Sequence, residues 1–329
     1  MKLSATECLL QLHDEQHKLE DYQSGVPRWC TGCGDNAILA AVQRLCRDEQ
    51  LRPEKTVFVS GIGCSSRFPH YMKTYGFHGI HGRALPVAEG VKFARPDLHV
   101  FVNTGDGDCC SIGAAHWIHA LRYNMNMTVF LHDNQIYGLT KKQASPTSPI
   151  GTKSNTTPRG SYLEALQPLS VTLRVENVSF VAQTVDWIPE IMYDIVKAAF
   201  HHKGLSFVRI VQRCPEWLPT LFEPFLHDPQ RIKLLHHENG LEISPGLAKV
   251  YKNQELHDPA NLNRAREIAS DNDPIPVGIL YRNPDVPCYE ELRASTVLRT
   301  PELVRTGLEK EFDKYTIWPQ GMGPEAQAN

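Results

Sequence analysis

The stretch that decides the fold is VFVNTGDGDCCSIG, residues 100 to 113. An apolar, β-branched run from Leu98 to Val102 reads as a buried strand. It ends in Gly105-Asp106-Gly107-Asp108, where two glycines alternate with acids in a way no helix or strand interior favours. A second apolar run, Met127 to Leu131, also reads as a strand and leads into Asp133-Asn134, and the intervening Ser111 to Tyr123 has helical character. The unit is β-turn-α-β, and the right-handed crossover rule puts both strand ends on one edge of a parallel sheet. Asp106 and Asn134 then reach the crevice in which open α/β sheets bind ligands. A carboxylate, a side-chain amide and nearby backbone carbonyls are hard oxygen donors. They suit an octahedral Mg²⁺ that completes its shell with phosphate oxygens.

Working outward, residues 1 to 24 are polar and hold at most a short amphipathic helix, a segment for the surface or for a partner. Trp29-Cys30-Thr31-Gly32-Cys33-Gly34 follows, with Asp35 as an N-cap and Ile38, Ala41, Val42 and Leu45 at helical spacing. Cys30 and Cys33 therefore precede a helix N-terminus, where the dipole and free N–H groups favour thiolates. Thr56 to Ile62 is a strand running into Gly63-Cys64-Ser65-Ser66, and a helix covers Leu85 to Ala94. Residues 140 to 160 hold three prolines and no hydrophobic period, and read as a loop folding over a site in preference to a linker. Phe180 to Val185, a helix from Ile188 to His202, and Ser206 to Val211 repeat the β-α-β pattern and end in Gln212-Arg213-Cys214-Pro215. Beyond residue 220 only a helix near 260–270 and a strand at Val277 to Tyr281 stand out. The organisation expected is a surface segment over 1–24, a ligand-binding α/β domain over 25–220 and an extension over 221–329 that packs on a partner. The domain is a doubly wound, mostly parallel sheet, and the extension is irregular.

With 329 residues the chain can bury a full core. A net charge of −3, with acids and bases interspersed, offers no basic stripe for nucleic acid. No apolar stretch reaches membrane-spanning length, and acids and histidines interrupt the N-terminus where a secretory signal would be apolar. The expectation is a cytoplasmic protein whose nine cysteines are reduced or metal-bound. Cys8, Cys46, Cys109, Cys110 and Cys288 read as structural. Cys30, Cys33, Cys64 and Cys214 sit at strand or helix ends that a doubly wound sheet brings to one edge. Four thiolates suit Zn²⁺ or an iron–sulfur cluster, a thioredoxin-type pair or unconnected buried cysteines being the alternatives.

Gly-Asp-Gly, a helix, and a strand ending in Asn resemble the thiamine diphosphate motif, in which Gly105 and Gly107 let the backbone approach the phosphates. In order, WCTGCG, GIGCSSR, HGRALPVAEGVK, TGDGD, DNQIYGLTKKQASPT and a late RCP occur along this chain. Together they resemble the β subunit of 2-oxoacid:ferredoxin oxidoreductases over roughly residues 25 to 225, and the C-terminal region is similar to the 2-oxoglutarate type. The resemblance implies a thiamine-binding fold of the PP type with one [4Fe–4S] cluster on Cys30, Cys33, Cys64 and Cys214. It implies Mg²⁺ on Asp106, Asn134 and the carbonyl of Ile136. Cofactor contacts follow at Ile62, Gly63, Cys64, Ser65, Ile80, His81, Gly82, Gly107, Asp108, Gly138 and Leu139. One departure is visible, since Lys142 stands where the family pattern has glycine after Lys141.

The implied chemistry is oxidative decarboxylation of 2-oxoglutarate to succinyl-CoA and CO₂, with electrons leaving through the cluster to ferredoxin, and reductive carboxylation in reverse. No second thiamine domain is present to supply the catalytic glutamate. It is expected from an α subunit, in a heterodimer or a dimer of heterodimers, without which the chain is inactive. Arg67 and Lys141 are candidate partners for the distal carboxylate of the substrate. Pyruvate or a broad range of 2-oxoacids is the alternative substrate. The rival classes are a non-redox thiamine decarboxylase or synthase and a zinc-scaffolded binding module.

Overall fold

Alternating side chains along short strands decide where the sheet sits and what covers it. The computed structural model describes residues 16–296, 301–313 and 315. Within them a nine-stranded sheet forms from β1 (Thr56–Ser60), β2 (Tyr75–His78), β3 (His99–Gly105), β4 (Met127–Asp133), β5 (Phe180–Val185), β6 (Leu205–Val211), β7 (Ile232–His236), β8 (Gln254–Leu256) and β9 (Ile275–Arg282). The spatial order is β2-β1-β3-β4-β6-β5-β9-β7-β8. Neighbours run parallel except β5 and β9.

Period two places Phe58, Phe101 and Phe130 on one face, their rings stacked at 4.9 Å and 6.2 Å between successive centroids. Helices α1 (Gly34–Asp48) and α4 (Pro189–His201) cover that face with Ile38, Val42, Leu45, Met192, Ile195 and Val196. Val57, Val59, Val100, Val102, Val129 and Leu131 face the other way, against α2 (Ala84–Ala94), α3 (Ala114–Tyr123) and α5 (Leu262–Ile268). Strands buried on both faces read as continuous apolar runs, and that is why they were legible in sequence.

The chain leaves β1 outward to β2 and returns to β3 on the other side of β1. This reversal is the topological switch point, and it opens a crevice at the strand C-termini. Three details differ from the sequence reading, the first being the exposed edge strand β2, which it did not anticipate. Asp35 does not cap α1; Cys33 holds the N-cap position, and Asp35 lies fully buried in the first turn. Residues 232–256 add β7 and β8, which were too short and too polar at their ends to show a period.

The chain divides into two compact units, residues 1–290 and 291–329. The second contains the helix Pro301–Asp313. Residues 1–15, with Cys8, and those after Trp318 lie outside the described residues. At the end of the N-terminal segment Tyr22 is fully buried, and its hydroxyl donates to the Leu51 carbonyl at 2.8 Å. Among the described residues no helix is long and apolar enough to cross a membrane.

Candidate cofactor and cluster site

Four strand ends converge on the switch point. Residues after β1, β3, β4 and β6 line one cavity of about 430 Å³. Ile62 to Ser65, Gly105 to Asp108, Asn134, Ile136, Gly138, Leu139 and His81 all face it. Ile80 does not, being 70% exposed on the surface. Gly82 stays behind the wall, where its N–H donates to Asp108 Oδ1 at 2.7 Å.

Asp108 is the clamp of this wall. Its buried carboxylate accepts from Ile62 N (3.1 Å), Gly82 N (2.7 Å), His81 Nδ1 (2.7 Å) and Thr104 Oγ1 (2.8 Å). The loops after β1 and before α2 are thus fixed to the turn after β3. That turn continues as a single π turn, Asp108–Ile112, a geometry that gathers at functional sites. Gly107 is needed for a reason the motif did not disclose. A Cβ there would lie 2.1 Å from the Tyr137 ring, whose hydroxyl donates to the Gly107 carbonyl at 3.1 Å.

Asp106 is buried, and burial, with the charge of Asp133 adding to it, pushes its pKa up to about 7. Thr147 Oγ1 lies 2.7 Å from Asp106 Oδ2 and 2.8 Å from Asp133 Oδ1, so the loop over 140–160 seats itself on the acid pair. Arg209 is committed to Asp133 (Nη2 to Oδ2, 2.6 Å), which leaves Asp106 with no cation of its own among the described residues. Asn134 accepts from Ile136 N at 3.1 Å, turning the chain so that Ile136 also lines the cavity. Ser65 Oγ is buried at the same cavity with no hydrogen-bond partner among the described residues. An acid short of a cation, an amide oxygen and an unpaired hydroxyl around one cavity fit a divalent cation carrying a phosphorylated cofactor.

The cysteines gather beside this cavity. Cys64 lines it, and a Cβ on Gly138 would lie 3.4 Å from Cys64 Sγ and 3.8 Å from Cys214 Sγ. Cys33 Sγ lies 3.2 Å from Gln212 Nε2 and 3.6 Å from Asp35 Oδ2, and its thiol feels the charges of Cys64 and Cys214. Cys30, exposed at the tip of the Cys-x-x-Cys turn, acts electrostatically on Cys64 and Cys214. Gly34 makes the assembly possible, because a Cβ there would meet Gln212 Cγ at 2.6 Å and Asp186 Cγ at 2.7 Å. The helix start therefore packs directly on the end of β6, where Gly34 N donates to the Arg213 carbonyl at 3.2 Å.

The expected thiolate-favouring helix terminus is outweighed here. Burial pushes the Cys33 and Cys214 thiols up and that of Cys64 up to about 12, so thiolates at these positions call for bound positive charge. Among the described residues no three His, Cys, Asp or Glu side chains close on one ion-sized point. The remaining cysteines described, Cys46, Cys109, Cys110 and Cys288, are buried.

Arg67 and Lys141 are not among the cavity-lining residues. Arg67 is half-buried beside Cys64 and His78, while Lys141 is exposed. Both Lys141 and Lys142 adopt φ 71°, the left-handed conformation that glycine would take without cost. The departure from glycine at 142 is thus accommodated as backbone strain in an otherwise intact turn. Sequence reasoning missed His132 and Gln212, both in the cavity wall. His132 ends an apolar strand one residue before Asp133, and Gln212 immediately follows β6, so the strand-end rule that found Asp106 applies to both.

Fold and site together define a thiamine diphosphate-binding domain. The family described as "Thiamine pyrophosphate enzyme, C-terminal TPP binding domain" matches residues 61–210, and the family of the C-terminal part of pyruvate ferredoxin oxidoreductase beta subunits matches 248–296. The chain is 48% identical over 239 residues to the 2-oxoglutarate oxidoreductase subunit KorB of Mycobacterium tuberculosis, covering 72% of this chain and 64% of that protein's length. It is 38% identical over 263 residues to 2-oxoacid:ferredoxin oxidoreductase 1, subunit beta, of Aeropyrum pernix, covering 80% of each. The 2-oxoglutarate:ferredoxin oxidoreductase structure from Magnetococcus marinus, with 2-oxoglutarate, coenzyme A and succinyl-CoA bound, superposes with a TM-score of 0.76. It is 34% identical and covers 90% of this chain and 97% of its own. The chain belongs to the β subunits of 2-oxoacid:ferredoxin oxidoreductases, with similarity running to the 2-oxoglutarate type.

Proposed function

We propose that this chain is the β subunit of a coenzyme A-acylating 2-oxoglutarate:ferredoxin oxidoreductase. It holds thiamine diphosphate with Mg²⁺ on Asp106, Asn134 and the Ile136 carbonyl, and one [4Fe–4S] cluster on Cys30, Cys33, Cys64 and Cys214. The observation that carries this reading is the shared cavity wall. Asp106, Asn134 and Cys64 line one space, with Cys214 reached across Gly138. A non-redox thiamine enzyme needs no such thiol group. A zinc-scaffolded binding module needs no buried acid and amide beside its sulfurs.

When bound, the cofactor would supply an electron sink for decarboxylation of a 2-oxoacid, and the cluster would supply one-electron transfer toward ferredoxin. The residues of this chain bind and orient. Asp106 carries the charge that offsets the cation, and Ser65 offers a hydroxyl to the bound group. Asp108 holds the Ile62 and Gly82 loops rigid, with the His81 Nδ1 proton directed at its carboxylate. Gly138 keeps the space between the cavity and the two thiols free of a side chain. The aminopyrimidine glutamate comes from an α subunit, so the active unit is a heterodimer or a dimer of heterodimers.

The 2-oxoglutarate reading is supported by the names of the similar proteins and by Arg67, a cation close enough to act on Cys64 though outside the cavity lining. Lys141 on the neighbouring loop is the second candidate for the distal carboxylate. Anaerobic purification of the α/β complex tests the proposal. Expected are four irons per β chain, an iron–sulfur visible band, and CoA-dependent ferredoxin reduction with kcat/KM higher for 2-oxoglutarate than for pyruvate. The same complex with reduced ferredoxin should carboxylate succinyl-CoA. An iron-free or zinc-loaded β chain ends the cluster reading, and a preference for pyruvate ends the dicarboxylate reading.

A further inference from the structure

We infer that Asp35 and Gln212 act on Cys33 to set the electron affinity of the cluster in opposite directions. This rests on the proposal that Cys30, Cys33, Cys64 and Cys214 hold an iron–sulfur cluster. Besides the Asp35 backbone N–H, two buried side chains reach the Cys33 sulfur: Gln212 through Nε2 at 3.2 Å and Asp35 through Oδ2 at 3.6 Å. Both are held in place from elsewhere. The second hydrogen on Gln212 Nε2 goes to the Arg213 carbonyl at 2.9 Å, and Gln212 Cγ packs where a side chain on Gly34 would stand. Asp35 Oδ1 accepts from His132 Nδ1 at 2.7 Å, with both side chains fully buried. His132 Nε2 in turn lies 3.0 Å from Asn103 Nδ2.

Once the Cys33 sulfur is an iron ligand it has no proton to give, and the two neighbours then act with opposite sign. The amide N–H of Gln212 donates to the sulfur and withdraws electron density, which favours the reduced cluster. The Asp35 carboxylate places negative charge against the ligand sulfur in a site of low dielectric, which favours the oxidised cluster. His132 holds that carboxylate from the cofactor cavity, so the group that sets the cluster's electron affinity is anchored in the cofactor's own wall. The pair are positioning residues that work through Cys33.

The test uses the full chain, copurified with its α partner, carrying Asp35→Asn, Gln212→Met or both. Iron and sulfide content, circular dichroism and the cluster midpoint potential from an anaerobic, EPR-monitored titration are read on each. Expected is wild-type iron in all three, with the midpoint moving up in Asp35→Asn, down in Gln212→Met and returning toward wild type in the double variant. Each single variant is read on its own, so one that misfolds leaves the other decisive. Unchanged midpoints, or shifts of the same sign, overturn the inference. Loss of iron from a folded variant also overturns it, because the residue would then hold the cluster and not tune it. A wild-type chain with no iron–sulfur signal is a separate result, which removes the cluster proposal itself.

Discussion

Asp106 shows what a single residue does here. It sits where β3 gives way to a helical turn, is buried next to a second acid, and has no cation of its own among the described residues. Asp106→Ala should lower thiamine diphosphate affinity steeply in the reconstituted α/β complex while circular dichroism stays unchanged, with calorimetry as the measure. Undiminished affinity would dissociate Asp106 from the cation. The cysteines divide at the same scale. Cys64 lines the cavity, whereas Cys288 is buried outside that lining. Cys64→Ala should abolish iron binding and Cys288→Ala should leave it intact, as read by iron quantification of the anaerobic protein.

At the scale of elements, α2 carries a charge its amphipathic pattern does not absorb. Glu89 has no hydrogen-bond or ion-pair partner among the described residues, and burial pushes its pKa from 4.5 up to about 7. The native state therefore holds this proton more tightly than the unfolded chain. The stabilisation is complete below the unfolded value near 4.5 and is lost as pH rises through about 7. Glu89→Gln should flatten the fall in stability between those pH values and raise the melting temperature at pH 8, as differential scanning calorimetry would show. A parallel pH profile in the variant would mean the carboxyl is solvated. The 140–160 loop is an element of a different kind. It holds by hydroxyls, Thr147 on the acid pair and Ser148 on the Gln135 carbonyl at 2.5 Å, in place of apolar packing.

For the whole molecule, one buried ion pair ties four strands to the site. Arg209 on β6 donates through Nε to Asp133 at the end of β4 (2.7 Å) and through Nη1 to Gln183 on β5 (2.9 Å), and Thr147 links Asp133 to Asp106 after β3. Arg209→Met strands the Asp133 carboxylate beside Asp106 in the interior, at a cost of about 3–5 kcal/mol. Denaturant unfolding should show that loss, with much of it recovered on adding Asp133→Asn. An unaltered midpoint in Arg209→Met would mean water already solvates the pair.

The buried strands β3, β4, β5 and β6, the helices that cover them and the turn at Asp106 were determined by the sequence alone. A strand covered on both faces has to be apolar throughout, and a ligand turn has to break that pattern with glycine and polar residues. The same local logic put Asn134, Cys64 and Cys214 at strand ends, where hydrophobicity stops, and Cys30 and Cys33 ahead of a helix. What only tertiary structure decided depends on contacts between segments far apart in the chain. Asp35 looks like a helix cap until His132, 97 residues on, claims its carboxylate. Gly107 looks like room for phosphate until the Tyr137 ring occupies that space. β7 and β8 carry too few residues to show a period, and hydrogen bonding to β9 and to each other makes them strands. Burial, which outweighs the helix dipole at Cys33, is a property of the packed molecule that no local spacing encodes.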